Sequence, residues 1–271
     1  MPIYDIEEQD IEILYNCPIC DSSDIEIISE VVEKEKRKFK TDFDSNFTKI
    51  IPMEEHIIFL STAYCKECKF VFRNKRPNLP WFEKSWNIRE DEDKDAVYEQ
   101  AHDPEKEKQR YNRYENLSEV LEEVTTGRKL LDVGCGPGTG LKAFQDRGWE
   151  VMGVEPDPVR AKVGNEVNKI NIFPGKIEDF TEPDDSFDVI TLCHSLEHIH
   201  NIQELFNQIN RLLKSNGILI IAVPNLQAPD RILFGRKWVA FDAPRHLYHF
   251  TPDTLNQLCN KYNFNIIRKY S

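Results

Sequence analysis

Two cysteine pairs and one glycine-rich turn carry the plainest chemistry in this sequence. Cys17-Pro18-Ile19-Cys20 and Cys65-Lys66-Glu67-Cys68 are matched C-x-x-C pairs. Together they offer four thiolates, the donor set of a tetrahedral zinc ion. No ligand position is left open for a substrate, so the expected role is structural. The stretch Leu130-Leu131-Asp132-Val133-Gly134-Cys135-Gly136-Pro137-Gly138-Thr139-Gly140 runs from an apolar strand through an acid into alternating glycines. Gly134, Gly136 and Gly138 let the backbone turn sharply and approach a ligand without a Cβ in the way. The helix N-terminus that follows offers free N–H groups. A dinucleotide fingerprint would place its third glycine at position 139, which is Thr139. The spacing is G-x-G-x-G instead. Glu155, about twenty residues past the first loop glycine, ends the next strand, where a carboxylate can accept from both ribose hydroxyls.

Downstream, His194, Glu197 and His198 follow a further strand-like run, Ser186 to Leu192. In an open α/β sheet, chemistry sits at the carboxyl ends of the strands. His194 or His198 can act as a general base, since imidazole titrates near neutral pH. With Glu197 they can instead help hold a divalent ion, or Glu197 and His198 can cap and brace a helix. A long connection, Leu226 to Phe250, brings Trp238, Phe241, Arg245 and His246 together, and connections of this length are uncommon unless functional. It suits an acceptor-binding lid. Arg245 can grip a phosphate or carboxylate by paired hydrogen bonds or pin its own loop, and His246 is a third candidate base.

The elements that would position these residues alternate. Tyr111, Tyr114, Leu117, Leu121 and Val124 recur at helical steps and predict a helix over one side of the cleft. Strands are expected over Trp149 to Val154, Ile170 to Phe173, Ser186 to Leu192, Ile218 to Val223 (apolar throughout, as a central parallel strand should be) and Asn265 to Tyr270. Helices are expected over Leu141 to Arg147, Ile202 to Leu213 with Gly217 as its stop, and Asp253 to Tyr262 with Thr251 as cap. The fold class is therefore α/β, a doubly wound, mostly parallel sheet. It carries a small zinc-ribbon-like module in front, whose cysteine pairs are separated by an inserted hairpin or loop. The expected organisation is residues 1–82 as the zinc module, 83–110 as a charged linker, and 111–271 as the main domain.

Asp132 with its G-x-G-x-G loop resembles motif I of the class I S-adenosylmethionine (SAM) methyltransferases. The resemblance implies that Asp132, Gly134, Gly136 and Gly138 hold the methionine end of SAM and that Glu155 binds its ribose. Gly175-Lys176-Ile177-Glu178-Asp179-Phe180 is similar to the family's adenine-binding segment. Ile177 and Glu178 would then face adenine, with Lys176 where many relatives carry Asp, and Cys193 would end the fourth strand beside the cofactor. The segment Cys193 to Ile199 is not the Asn/Asp-Pro-Pro-Tyr/Phe signature of enzymes that methylate amide or nucleobase nitrogens. It is similar to the E-x-x-E-H of ubiquinone-biosynthesis O-methyltransferases and small-RNA methyltransferases, to which a metal is attributed, with His194 at the first acidic position. Residues 70–77 and the W…D-x-P-R-H-L…F-T-x-x-T-L pattern of 238–255 resemble bacterial methyltransferases with an N-terminal four-cysteine zinc module, several of which act on sugars or surface polysaccharides. The implied activity is methyl transfer to a hydroxyl or carbon of a small acceptor such as a nucleotide sugar. A ubiquinone-type O-methyltransferase and a non-catalytic scaffold are the alternatives. The family sheet ends in an antiparallel strand for which no residues remain after Asn265 to Tyr270.

The composition narrows the partners. The chain has 271 residues and a formal net charge of −12, which repels nucleic acid. No apolar run approaches the ~18 residues of a membrane span. Seven cysteines without a secretion signal point to a reducing, cytoplasmic compartment.

Overall fold

A computed structural model of the chain describes residues 6, 8–33, 58–87 and 104–269. It contains two sheets. The first is antiparallel: β1 (Ile11–Ile13), β2 (Ile25–Glu33), β3 (Ile58–Cys65) and β4 (Val71–Pro77) lie in the order β1-β4-β3-β2. The second is wholly parallel: β5 (Lys129–Val133), β6 (Glu150–Glu155), β7 (Asn171–Pro174), β8 (Phe187–Cys193) and β9 (Leu213–Ala222) lie in the order β7-β6-β5-β8-β9. The order reverses beside β5, and a doubly wound sheet opens its ligand crevice at that point.

A last short strand, β10 (Tyr248–His249), joins neither its sequence neighbours nor the parallel sheet. It pairs antiparallel with β4, Tyr248 opposite Phe72 and His249 opposite Val71. The cysteine-bearing sheet and the lid are thus one hydrogen-bonded structure. Packing agrees. Phe70 lies against the rings of Phe72, Tyr248 and Phe250 at centroid distances of 6.0, 5.9 and 5.1 Å. The same buried cluster continues through Leu192, Leu196 and Phe206 to Leu258.

Helix α1 (Leu79–Asn87) follows β4, and α2 (Pro104–Val124) packs on α3 (Thr139–Asp146). Helix α2 starts at Pro104, within the stretch read as linker. Proline suits a first helical position, and Glu105 and Glu107 in the first turn complement the helix dipole. Its buried residues Tyr114, Ser118 and Leu121 form one stripe. Asp157 caps α4 (Pro158–Val163) by accepting from the Val159 and Arg160 N–H groups. Helix α5 (Ile202–Leu212) buries Ile202, Leu205, Phe206, Ile209 and Leu212. The lid carries α6 (Pro229–Phe234), and α7 (Pro252–Lys261) begins with the expected Thr251 cap, in a reciprocal capping box with Thr254.

Three expectations need correction. Residues 265–269 form no strand, so the described parallel sheet stops at β9; Tyr270 lies outside the described residues. Strand β9 is therefore an edge strand, with Ile218 to Ala222 half-buried, and not a central one. Gly217 does not stop α5, which ends at Leu212. Its φ is not positive, as a helix-ending glycine's would be, and residues 214–217 bulge out between the Phe187–Leu213 and Val189–Ile218 pairings. The charged insertion after Glu33 and the first residues of the strand expected from Glu55 lie outside the described residues; β2 and β3 pair as a hairpin on either side of it.

Candidate active site

The four cysteines of the two pairs converge, their sulfurs all within 4.8 Å of one another. The two turns are copies of one geometry. In each, the first Cys N–H donates to the carbonyl five residues on, Cys17 to Ser22 and Cys65 to Phe70. In each, the residue after the second Cys has a left-handed φ, +61° at Asp21 and +67° at Lys69. Sγ–Sγ distances of 3.5 Å for Cys17–Cys68 and Cys20–Cys65 come near the ~3.8 Å of a tetrahedral ion with ~2.3 Å zinc–sulfur bonds. Burial pushes the Cys68 thiol up to about 11, so adjacent thiolates here call for a cation.

A cleft of about 280 Å³ opens at the carboxyl ends of the parallel strands. Its cofactor half is made by neighbouring strand ends. Gly134 (φ +77°) passes so close to Ser195 that a Cβ there would sit 2.5 Å from the serine Cβ. Glu155, buried at the end of β6, accepts from the Gly136 N–H at 2.7 Å and the Asp157 N–H at 3.0 Å, tying the glycine loop to β6. Burial raises its carboxyl above the ordinary value. Asp132 is fully enclosed. It accepts from Thr191 Oγ1 at 2.6 Å and Tyr114 Oη at 2.9 Å, and burial pushes it up to about 6 despite both bonds. Ile177 and Glu178 line the cleft, and α1 covers them with Leu79 and Phe82; Lys176 is paired to Glu83 of that helix at 2.8 Å.

The acceptor half is made by the turn after β8 and by the lid. His194, at φ +57° and half exposed, and His198 both line the cleft, as does Arg245. Glu197 is 1% exposed and neither carboxylate oxygen has a hydrogen-bond partner. Its Oε1 lies 3.5 Å from His194 Nδ1, an ion-pair distance without hydrogen-bond geometry. Burial alone would raise this carboxyl; the histidines around it, His194 first, hold it below the ordinary carboxylate value instead. His246 comes from the lid and meets His198 edge to face at 4.6 Å. His198 Nδ1 bonds the Arg245 carbonyl at 3.0 Å and His246 Nδ1 the Ala240 carbonyl at 2.8 Å. Carbonyls only accept, so both Nδ1 atoms carry a proton, while His246 Nε2 lies 3.8 Å from Asp242 Oδ2. Burial lowers His198 to about 4, which keeps it neutral. Glu197, His198 and His246 each place a ligand atom within 4.8 Å of the others.

Of the residues singled out from the sequence, Gly134, Glu155, Ile177, Glu178, His194 and His198 line the cleft. Asp132, Gly136, Gly138, Cys193 and His246 do not, and Glu197 lies behind the wall that His194 and His198 make. Gly138 is the N-cap residue of α3, and Cys193 packs behind β8 near Tyr114. Arg245 bonds Asp242 and so pins its own loop while facing the cleft. Tyr114, in the sequence one member of the helical stripe, also bonds Asp132, which its spacing does not signal. Sequence reasoning passed over Arg110, whose guanidinium reaches within 3.7 Å of where a Cβ on Gly136 would stand. Ser195 and the arginines of β4 went unnoticed too; Arg73 and Arg76 stood within the quoted 70–77 segment but fit no periodic pattern.

A family model described as a methyltransferase domain matches residues 72–269. Over 154 residues the chain is 29% identical to a ubiquinone biosynthesis O-methyltransferase of Glaesserella parasuis, covering 51% of this chain and 65% of that one. Over 136 residues it is 32% identical to the protein of the same name from Actinobacillus pleuropneumoniae, covering 46% and 58%. The chain thus spans under two thirds of the length of these relatives. The structure of the plantazolicin methyltransferase BpumL, solved with S-adenosylhomocysteine (SAH), superposes with a TM-score of 0.51 at 21% identity, over 67% of this chain and 73% of that one. Among the described residues no helix is long and apolar enough to cross a membrane. The match over 72–269, with the β7-β6-β5-β8-β9 sheet and its glycine loop, shows that the chain belongs to the methyltransferase-domain family, the SAM-dependent fold.

Proposed function

We propose that this chain transfers the methyl group of SAM to an oxygen of a small acceptor, and that Glu197, His198 and His246 hold a divalent cation beside that oxygen. One observation carries the reading: a buried carboxylate with no hydrogen bond faces two imidazoles whose Nδ1 protons are already given to backbone carbonyls. A buried charge is costly unless its partners neutralise it; His194 offers Glu197 one ion-pair contact, and a histidine that donates its second N–H to a carbonyl is arranged as a metal ligand. When bound, a divalent cation lowers the pKa of a coordinated hydroxyl.

The chain's own residues supply the rest. Glu155 and the loop at Gly134 fix the ribose and sulfonium side, while Ile177 and Glu178 meet adenine under Phe82. Asp132, enclosed and held by Tyr114 and Thr191, supports the end of β5 beneath the methionine end of SAM. The acceptor oxygen attacks the methyl carbon as the carbon–sulfur bond breaks, SAH departs, and the acceptor proton passes to His194 at the cleft mouth. Proximity and alignment supply most of the rate. Arg245 on the cleft wall suits an acceptor with a phosphate, and a nucleotide sugar is the class we favour; the O-methyltransferase relatives support oxygen as the methylated atom. The four-cysteine cluster holds a structural zinc.

Labelled-methyl SAM tests this with a panel of nucleotide sugars and diols. The expected result is label transfer that EDTA abolishes and added Mn2+ restores. Transfer that is indifferent to EDTA would leave His198 as a plain general base and remove the cation from the scheme.

A further inference from the structure

The cysteine-bearing sheet reaches the acceptor site through one side chain. Arg73, on β4, is 3% exposed. Its Nε donates to the His246 carbonyl at 3.1 Å and its Nη2 to the Phe241 carbonyl at 2.9 Å. Its backbone N–H donates to the Leu247 carbonyl at 2.9 Å, and the Leu247 N–H donates to the Glu197 carbonyl at 2.7 Å. A continuous backbone relay therefore runs from β4 through the lid to Glu197, and the guanidinium fork grips the lid at Phe241 and at His246 itself. Three residues on, Arg76 repeats the arrangement, donating to the Tyr248 hydroxyl at 2.9 Å and the His200 carbonyl at 3.2 Å. The lid segment between Phe241 and Tyr248 has no regular structure of its own before β10, so its path depends on these bonds. A planar guanidinium can hold two carbonyls at once; an ammonium cannot.

We infer that Arg73 is a positioning residue: it holds His246 against Glu197 and His198, so that the cysteine-bearing sheet is a working part of the acceptor site. The inference rests on the reading of Glu197, His198 and His246 as a cation site, and its test separates the two.

The experiment compares full-length wild type with Arg73→Gln and Arg73→Lys, all loaded with zinc at the cysteines. Three quantities are read: Mn2+ affinity by electron paramagnetic resonance, SAH affinity by calorimetry, and imidazole 15N spectra, which report the histidine tautomers without any cation. Arg73→Gln is expected to weaken Mn2+ binding roughly 10- to 100-fold, the range for losing an outer-shell support. It should also erase the Nδ1–H signature of His246, with SAH affinity within about twofold. Arg73→Lys, which keeps the charge but not the fork, should recover part of the loss, and it carries the test alone if the Gln variant does not fold. Unchanged histidine spectra in a folded variant would overturn the inference, whatever Mn2+ does. If wild type binds no Mn2+ but Arg73→Gln still shifts the His246 spectrum, the positioning role stands and the cation reading falls.

Discussion

The two halves of the cleft are built in opposite ways. The cofactor half is local at its centre, with Thr191, Ser195 and α1 closing around it. Asp132, Gly136 and Glu155 belong to one strand–turn–helix–strand unit, and the Gly136–Glu155 bond closes it within nineteen positions. The acceptor half is assembled from afar: His198 meets the Arg245 carbonyl across 47 positions, and Arg73 meets the His246 carbonyl across 173. A local half can bind its ligand wherever that unit folds. A half made of distant segments exists only when the whole molecule, lid and cysteine sheet included, is assembled.

The largest expected effect that would break or sharpen this contrast is at Glu197. Glu197→Ala should lower turnover roughly a hundredfold or more, because the several kcal/mol a Lewis acid supplies is lost. SAH affinity should stay close to wild type. Parallel loss of both would show the halves are not separable. Gly134→Ala should do the reverse and abolish SAH binding. The left-handed φ costs a side chain about 1–2 kcal/mol, and the new Cβ would collide with Ser195. Calorimetry reads this directly. Tyr114→Phe leaves buried Asp132 one donor short, an expected loss of about 1–3 kcal/mol in SAH binding.

The same aspartate sets a pH dependence. Burial pushes its carboxyl up to about 6, so on acidification the folded chain takes up this proton before the unfolded chain does. The Asp132 contribution to stability therefore rises as pH falls through about 6. On the proposed reading the charged Asp132 supports the methionine end of the cofactor site, so SAH affinity should drop as pH falls below about 6. Tyr114→Phe should move that midpoint upward, which calorimetry across pH 5–8 would show. The smallest effect is at the α7 cap. Thr251→Ala should cost about 1 kcal/mol of stability by thermal melting and leave SAH affinity untouched.

The contrast also explains what could be read from residue order alone. The glycine loop, Glu155 and the cysteine pairs were legible because each is a fixed spacing with a local geometric reason. His194, Glu197 and His198 were legible as a group, but the neighbour that bears on base, ion ligand or brace, His246, reaches them through the β10–β4 pairing. Arg73 was invisible for the same reason: a buried arginine in a strand reads as a solvated charge until the lid is laid against it. The C-terminal strand failed differently. Asn265 to Arg268 carries two adjacent β-branched residues, yet Ile267 is 78% exposed and no described strand takes up its backbone bonds.

The account turns on the acceptor half being a cation site that is independent of cofactor binding. Titrating Mn2+ into the zinc-loaded, SAH-bound chain, wild type against Glu197→Gln, tests that most directly. The account predicts one Mn2+ per wild-type chain, lost in the variant while SAH stays bound. Equal Mn2+ binding by both, or none by wild type, would contradict it.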